Sequence, residues 1–246
     1  MALARVAMWS GPRNVSTALM RSWEHRADCA VIDEPFYAYY LSRTGLDHPG
    51  RAQILASQPT SWREVAGLLT AGPAPPGVCV LYQKHMTHHL LPEVDRSSLA
   101  GLRHAFLIRE PAQVLSSYAR VRDDPTLADL GLAQQVELYE RFGGPVVDAG
   151  DLLRAPSMML AALCAALAVP FDAAMLSWPA GRRESDGVWA PHWYDGVIRS
   201  TGFAAPPQVT AEVPDRLLPL LQVCRPYYDR MAVHRLTTET PHAADL

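Results

Sequence analysis

The chain has 246 residues, 49% of them hydrophobic and 19% charged, a length and balance that make one compact domain, residues 1–246, the expectation, or two small ones at most, with a core that stands without staples. Twenty-two Lys and Arg against 25 Asp and Glu leave a net charge of -3, which excludes a broad basic face for nucleic acid and leaves room only for a local anion pocket. Cys29, Cys79, Cys164 and Cys224 form no Cys-x-x-Cys pair, so they read as small buried hydrophobes rather than a disulfide frame or a zinc site.

In chain order, the opening from Met1 to Met8 is too short and too soon interrupted by Arg5 to read as a signal peptide. Short apolar runs predict strands over Ala4–Trp9, Ala30–Asp33, Val78–Gln83, His104–Ile108 and Pro145–Ala149. Helical spacing predicts helices over Ser16–His25, Pro111–Arg122, Leu132–Phe142 and Ser157–Ala168. A last helix is expected over Pro214–Val233, kinked or broken at Pro219 or Pro226. Ala71–Gly77 and most of Trp178–Pro207 read as loops, and Thr237–Leu246 as a frayed tail. Strands alternating with helices imply a three-layer α/β fold whose mostly parallel sheet of about five strands is flanked by helices. The longest apolar run, Met158 to Val169, falls short of a membrane span. The expectation is a cytoplasmic protein with no membrane or nucleic-acid partner; nothing in the residues reports oligomeric state.

Two segments carry anion chemistry. The first strand runs through Ser10-Gly-Pro-Arg-Asn-Val-Ser-Thr17 straight into a helix. Unpaired backbone N–H groups and the helix dipole make such a junction an anion site. Arg13 adds a full charge, and Ser16 and Thr17 add hydroxyl donors. The loop has Gly11 but neither the second glycine nor the lysine of a Walker A loop. The bland reading is a strand-to-helix turn capped by Ser16. In the second segment Arg109 ends the fourth strand, at the edge where open α/β sheets bind ligands. Ser117 follows eight residues later, about two helical turns on. Taken alone, an arginine there is more often a structural ion pair.

Together these segments resemble the sulfotransferases that use 3′-phosphoadenosine-5′-phosphosulfate (PAPS). Pro12-Arg-Asn-Val-Ser-Thr17 lies in register with their Pro-Lys/Arg-Ser-Gly-Thr-Thr loop, and Arg109-Glu-Pro…Ser117-Tyr118 with their 3′-phosphate motif. Gln83-Lys-His-Met-Thr-His-His-Leu-Leu-Pro92 aligns without a gap on Lys-Thr-His-Leu-Pro-x-x-Leu-Leu-Pro, matching at His85 and Leu90–Pro92. Glu34, in Asp33-Glu-Pro-Phe, resembles the base of the carbohydrate and protein-tyrosine branches. The wording of Trp9–Thr17, together with Ile32-Asp-Glu-Pro35, resembles a divergent bacterial and plant branch of that family.

The resemblance implies a P-loop-type version of the fold and a metal-independent transfer of a sulfuryl group from PAPS to a hydroxyl or amine of a small acceptor. In it Arg13 stabilises charge on the bridging oxygen, assisted by the backbone of Asn14, Val15, Ser16 and Thr17. Arg109 and Ser117 hold the 3′-phosphate, and Glu34 and His85 compete as base. Arg182 and Arg183, in Gly181-Arg-Arg-Glu184, stand in for a segment that closes over the nucleotide. The departures are Val15 and Ser16, where the family has glycine and threonine; Val15 takes a positive φ only at a cost.

His85, His88 and His89 match no zinc spacing. Phe36, Tyr37, Tyr39 and Tyr40 are expected mainly in the core, while Trp189, Trp193 and Tyr194 are expected to cover the site. Two rival readings stand: a P-loop nucleotide or small-molecule kinase, which needs the absent loop lysine and a magnesium carboxylate, and a non-catalytic nucleotide-binding homologue, motivated by the altered loop.

Overall fold

The structure is a computed structural model and describes residues 2–120, 124–205 and 211–238. Its strands are β1 (Ala4–Ser10), β2 (Cys29–Asp33), β3 (Val80–Met86), β4 (Arg103–Ile108) and β5 (Val146–Asp148), paired all-parallel in the order β2-β3-β1-β4-β5. The helices are α1 (Ser16–Glu24), α2 (Tyr37–Thr44), α3 (Arg51–Ser57), α4 (Trp62–Ala71), α5 (Pro111–Tyr118), α6 (Leu127–Leu130), α7 (Leu132–Phe142), α8 (Ala149–Arg154), α9 (Pro156–Ala166), α10 (Ala190–Trp193), α11 (Asp195–Ile198) and α12 (Leu218–Ala232).

Alternation along the central strands builds the layers, because successive side chains of a strand point to opposite faces. On one face Val6, Met8 and Tyr82 pack with Leu19 and Trp23 of α1 and with Leu160 and Leu163 of α9. On the other, Ala7, Trp9 and Phe106 pack with Val65 and Leu69 of α4, Val136 of α7 and Met231 of α12. Trp23 stacks on Tyr82 with centroids 5.2 Å apart. The parallel register sets Ser10 beside Met86 and Leu107, and Asp33 beside Lys84. The carboxyl ends of the strands thus share one edge. The chain steps from β1 out to β2, returns to β3 and crosses β1 to β4, so the switch point of the sheet falls at the end of β1.

All five predicted strands form, as do the predicted helices at α1, α7 and α9, within a few residues. The strand β3 continues three residues past its predicted end, through Lys84, His85 and Met86. Seven helices fall where none was expected: α6 and α8, α10 and α11 within the stretch read as loop, and α2, α3 and α4, of which none has a side-chain cap at its amino end and which are only 8, 7 and 10 residues long. Of the two prolines in the last helix, Pro219 sits in the first turn of α12 after a short 3-10 turn, where its missing N–H is harmless, and Pro226 lies inside the helix. The helix expected over Pro111–Arg122 stops at Tyr118 as α5; residues 121–122 of that expectation and most of the expected tail lie outside the described residues.

Candidate active site

The loop after β1 is shaped by backbone strain. Arg13 and Val15 both adopt left-handed conformations, with φ of 62° and 55°. For a β-branched residue this is a true outlier, costing about 1–3 kcal/mol. Val15 takes it nonetheless, packing its side chain against the α1 face of the core. Left-handed residues alternating with ordinary ones turn successive N–H groups inward, the geometry of an anion nest. Gly11 allows the close approach, since a Cβ there would lie 2.6 Å from the Leu130 carbonyl oxygen. Asn14 acts from within: its buried side chain donates through Nδ2 to the Leu107 carbonyl, 3.1 Å away, bracing the loop on β4. Its side chain is therefore a structural brace, and any ligand contact falls to its backbone.

Around this loop the predicted anion residues converge. Arg13 donates through Nε to Ser117 Oγ at 3.0 Å, and Arg109 donates through Nη1 to the Arg13 carbonyl at 2.6 Å and through Nε to Gln113 at 3.1 Å. Burial lowers the pKa of Arg109, and the neighbouring Arg13 lowers it further. Holding two guanidinium groups this close is unfavourable until an anion lies between them. Arg13, Ser16, Thr17, Arg109 and Ser117 line one cavity of about 360 Å³, roofed by Trp193 and residues 196–205.

A second cavity, of about 320 Å³, opens on the β2–β3 side of the same loop. At its floor Lys84 Nζ donates to Asp33 Oδ1 at 2.9 Å, to Glu34 Oε1 at 2.5 Å and to the Tyr194 hydroxyl at 2.9 Å. Tyr194 in turn donates to Asp33 Oδ2 at 2.6 Å. Burial pushes the Glu34 carboxyl up; Lys84 opposes the rise and Asp33 adds to it. Burial pulls the Lys84 ammonium down, but the two carboxylates outweigh it and hold its pKa above the ordinary value. Two carboxylates share one ammonium, and Glu34 is the one that lines the cavity. Arg13, Ser16, Thr17, Trp193 and Tyr194 line both cavities, so the two meet at the loop.

Four expected residues do not line these cavities: Asn14, whose side chain is the brace described above, and His85, Arg182 and Arg183. His85 points to the opposite face of β3: its ring stacks on Trp9 at 4.1 Å, its Nε2 lies 3.1 Å from Gln83 Oε1, and burial pulls its pKa down to about 3. It is a packed neutral imidazole that cannot reach an acceptor, which removes it as a base. The pleat explains the error. Lys84 and Met86 share the cavity face, whereas Gln83 and His85 point to the other one. Arg183 is drawn to the Pro179 carbonyl and to Glu24, and Arg182 is exposed; neither lines either of these two cavities, and residues 193–205 form the cover instead. Among the aromatics, Phe36, Tyr39 and Tyr40 are buried in core clusters as expected, whereas Tyr37 also walls the second cavity. Trp193 and Tyr194 do cover the site, with Trp189 buried behind them.

Sequence reasoning passed over Lys84. The signal was present: it is the only lysine among 246 residues, and it interrupts an apolar strand opposite an Asp-Glu pair.

The sulfotransferase domain family matches residues 4–235. The chain belongs to the sulfotransferase family. Two curated relatives from Arabidopsis thaliana, branched-chain-amino-acid aminotransferase-like proteins 1 and 2, are 36% and 34% identical to it over 231 residues, 92% of this chain; the chain spans 41% of their length. Among solved structures, the sulfotransferase from Alicyclobacillus acidocaldarius superposes with a TM-score of 0.58 at 13% identity, covering 97% of this chain and 98% of its own. The sulfotransferase domain of the curacin biosynthetic pathway gives 0.52 at 16% identity, covering 99% and 94%. That of the Synechococcus PCC 7002 olefin synthase gives 0.51 at 16%, covering 92% and 96%. At such identities these structures report the sulfotransferase fold alone.

Proposed function

We propose that this sulfotransferase uses PAPS as donor and transfers its sulfuryl group to a hydroxyl or amine of a small acceptor. The observation that carries the reading is the meeting of two cavities at one strained loop, an arginine-lined one on the β4 side and a carboxylate-floored one on the β2–β3 side. The residues present fit the donor: Arg109 and Ser117 suit its 3′-phosphate, and Arg13 with the inward N–H groups suits its phosphosulfate. Transfer forms a bond from the acceptor oxygen or nitrogen to sulfur and breaks the bond from sulfur to the phosphate oxygen, releasing adenosine 3′,5′-bisphosphate. Glu34 takes the acceptor proton; its raised pKa brings it nearer to the operating range of a general base. Lys84 and Tyr194 fix the position of that carboxylate. Arg13 stabilises the negative charge that develops between the cavities. A sulfuryl group carries less negative charge than a phosphoryl, so these donors suffice without a divalent cation.

An aminotransferase reading, suggested by the plant relatives' name, places a Schiff-base lysine at the site. Lys84, the only lysine in this chain, is unsuited to that role: its three N–H donors are taken by Asp33, Glu34 and Tyr194, and its amine is held protonated.

The test is a thermal shift with adenosine 3′,5′-bisphosphate, beside ATP with Mg²⁺ and beside 5′-AMP. At a hundred times its dissociation constant a ligand adds about 2.7 kcal/mol, a rise of roughly 5–10 °C for this size. A shift with the bisphosphate that shrinks in R109A supports the reading. A shift with ATP and Mg²⁺ alone overturns it in favour of a kinase. Binding of the bisphosphate without PAPS turnover on any acceptor supports the non-catalytic homologue.

A further inference from the structure

The charges around the second cavity are unbalanced. Of the described residues lining it, the cations are Arg13 and Lys84. Lys84 is shared between Asp33 and Glu34, and Arg13 is turned through its Nε to Ser117 on the donor side. The acceptor end therefore keeps one carboxylate in excess at its floor. It has a second at its mouth, where Asp47 is exposed on the turn between α2 and α3 and forms no ion pair among the described residues.

Between floor and mouth the walls are rings. Tyr37 is held by a hydrogen bond between its hydroxyl and His48 Nδ1, 2.8 Å apart, and stacks on His89 at 4.6 Å. Trp193 and Tyr118 complete the wall. Burial holds His89 well below the ordinary imidazole pKa, so it adds a ring without adding charge. At about 320 Å³ the space is near the lower end of ligand pockets. Aromatic faces attract cations, and a carboxylate at the mouth adds to that attraction. An acceptor bearing its own carboxylate or phosphate faces Glu34 and Asp47, and the one lining arginine, Arg13, lies at the junction of the cavities, where the donor's phosphosulfate claims it.

From this we infer that the acceptor is a compact cation: a hydroxylated amine or ammonium compound whose nucleophile reaches Glu34 while its positive charge lies among Tyr37, Trp193 and Asp47. The inference rests on the sulfotransferase reading for the word acceptor, but the charge preference of the cavity is measured apart from it.

Three phenols with the same nucleophile and different tails serve as probes: tyramine (cationic), 4-ethylphenol (neutral) and 4-hydroxyphenylacetate (anionic). Their binding to the full chain is measured by calorimetry at pH 8, above the ordinary imidazole range, with and without adenosine 3′,5′-bisphosphate. Tyramine is expected to bind about tenfold more tightly than 4-ethylphenol, corresponding to about 1.4 kcal/mol, and 4-hydroxyphenylacetate more weakly than either. In D47N the ratio of tyramine to 4-ethylphenol falls towards one, with the thermal transition of the variant reporting that it is folded; W193A lowers the ratio as well. Equal binding of the three, preference for the anion, absence of tyramine binding, or a ratio unmoved in D47N overturns the inference. Failure of the bisphosphate to bind overturns the donor reading instead, and the order of the three phenols then still decides the charge preference of the cavity.

Discussion

The two cavities that meet at the loop are built by opposite means. The arginine-lined one takes its polar donors from two short stretches, residues 13–18 and 109–117, under a roof from residues 193–205; the carboxylate-floored one takes its polar groups from buried side chains at the ends of β2 and β3 and at the α10–α11 turn, up to 161 residues apart. The first is a set of donors waiting for an anion. The second is a closed hydrogen-bonded set, Asp33, Glu34, Lys84 and Tyr194, that already satisfies itself. Substitutions on the first side should therefore act on ligand affinity, and those on the second on rate and on the fold.

The largest expected effect separates these roles. E34Q lowers kcat by about 10²–10⁴, while the thermal shift given by adenosine 3′,5′-bisphosphate stays; loss of that shift would mean that the two cavities are not independent. K84M leaves Asp33 and Glu34 buried without their cation, a loss of about 3–5 kcal/mol. Calorimetric melting should show this as a fall of roughly 6–20 °C. A fall of only a degree or two would break the picture of a self-satisfied floor. R109A, on the other side, should weaken the bisphosphate by about 10–100-fold through the loss of one charged contact, with the melting temperature of the unliganded protein nearly unchanged.

The smallest effect concerns the far face of β3. H85F should keep kcat within about threefold, since His85 is packed on Trp9 and away from both cavities; a loss as large as that of E34Q would restore it as a base. Its mark is on acid stability. The His85 pKa, pulled by burial to about 3, lies below its value of about 6.5 in the unfolded chain. Between those values the unfolded chain binds a proton that the native one does not, so stability falls as pH drops through the window, by at most about 1.4 kcal/mol per pH unit. His104, pulled down to about 4, and His89, held well below the ordinary value, add similar slopes. Denaturant melts of H85F between pH 7 and 5 should therefore show about two-thirds of the histidine-linked pH dependence of the wild type.

The same contrast decides what could be read in advance. The loop was legible because its chemistry is local: Pro12 to Thr17 is one continuous stretch, and Arg109 and Ser117 lie two helical turns apart on the next element over. The sheet was legible because each strand is an apolar run with turn residues after it. The floor was not, because nothing in one strand announces its partners on another. His85 looked like the motif histidine in a gapless alignment, and only the pleat shows that its neighbour Lys84 faces the cavity. Helices α2 to α4 escaped for a related reason. They are short and uncapped, held by packing of Tyr39, Ile54 and Leu69 rather than by their own ends.

The solitary lysine has one more consequence. All other basic side chains of Lys or Arg type are guanidinium groups, 21 of the 22, and Lys84 is 1% exposed. Apart from the amino terminus, an amine-acylating reagent therefore meets no target on the native surface. A Lys84 adduct forms only when the floor opens, so the rate at which that one tryptic peptide gains mass is a clock for the breathing of the site, readable without any substrate.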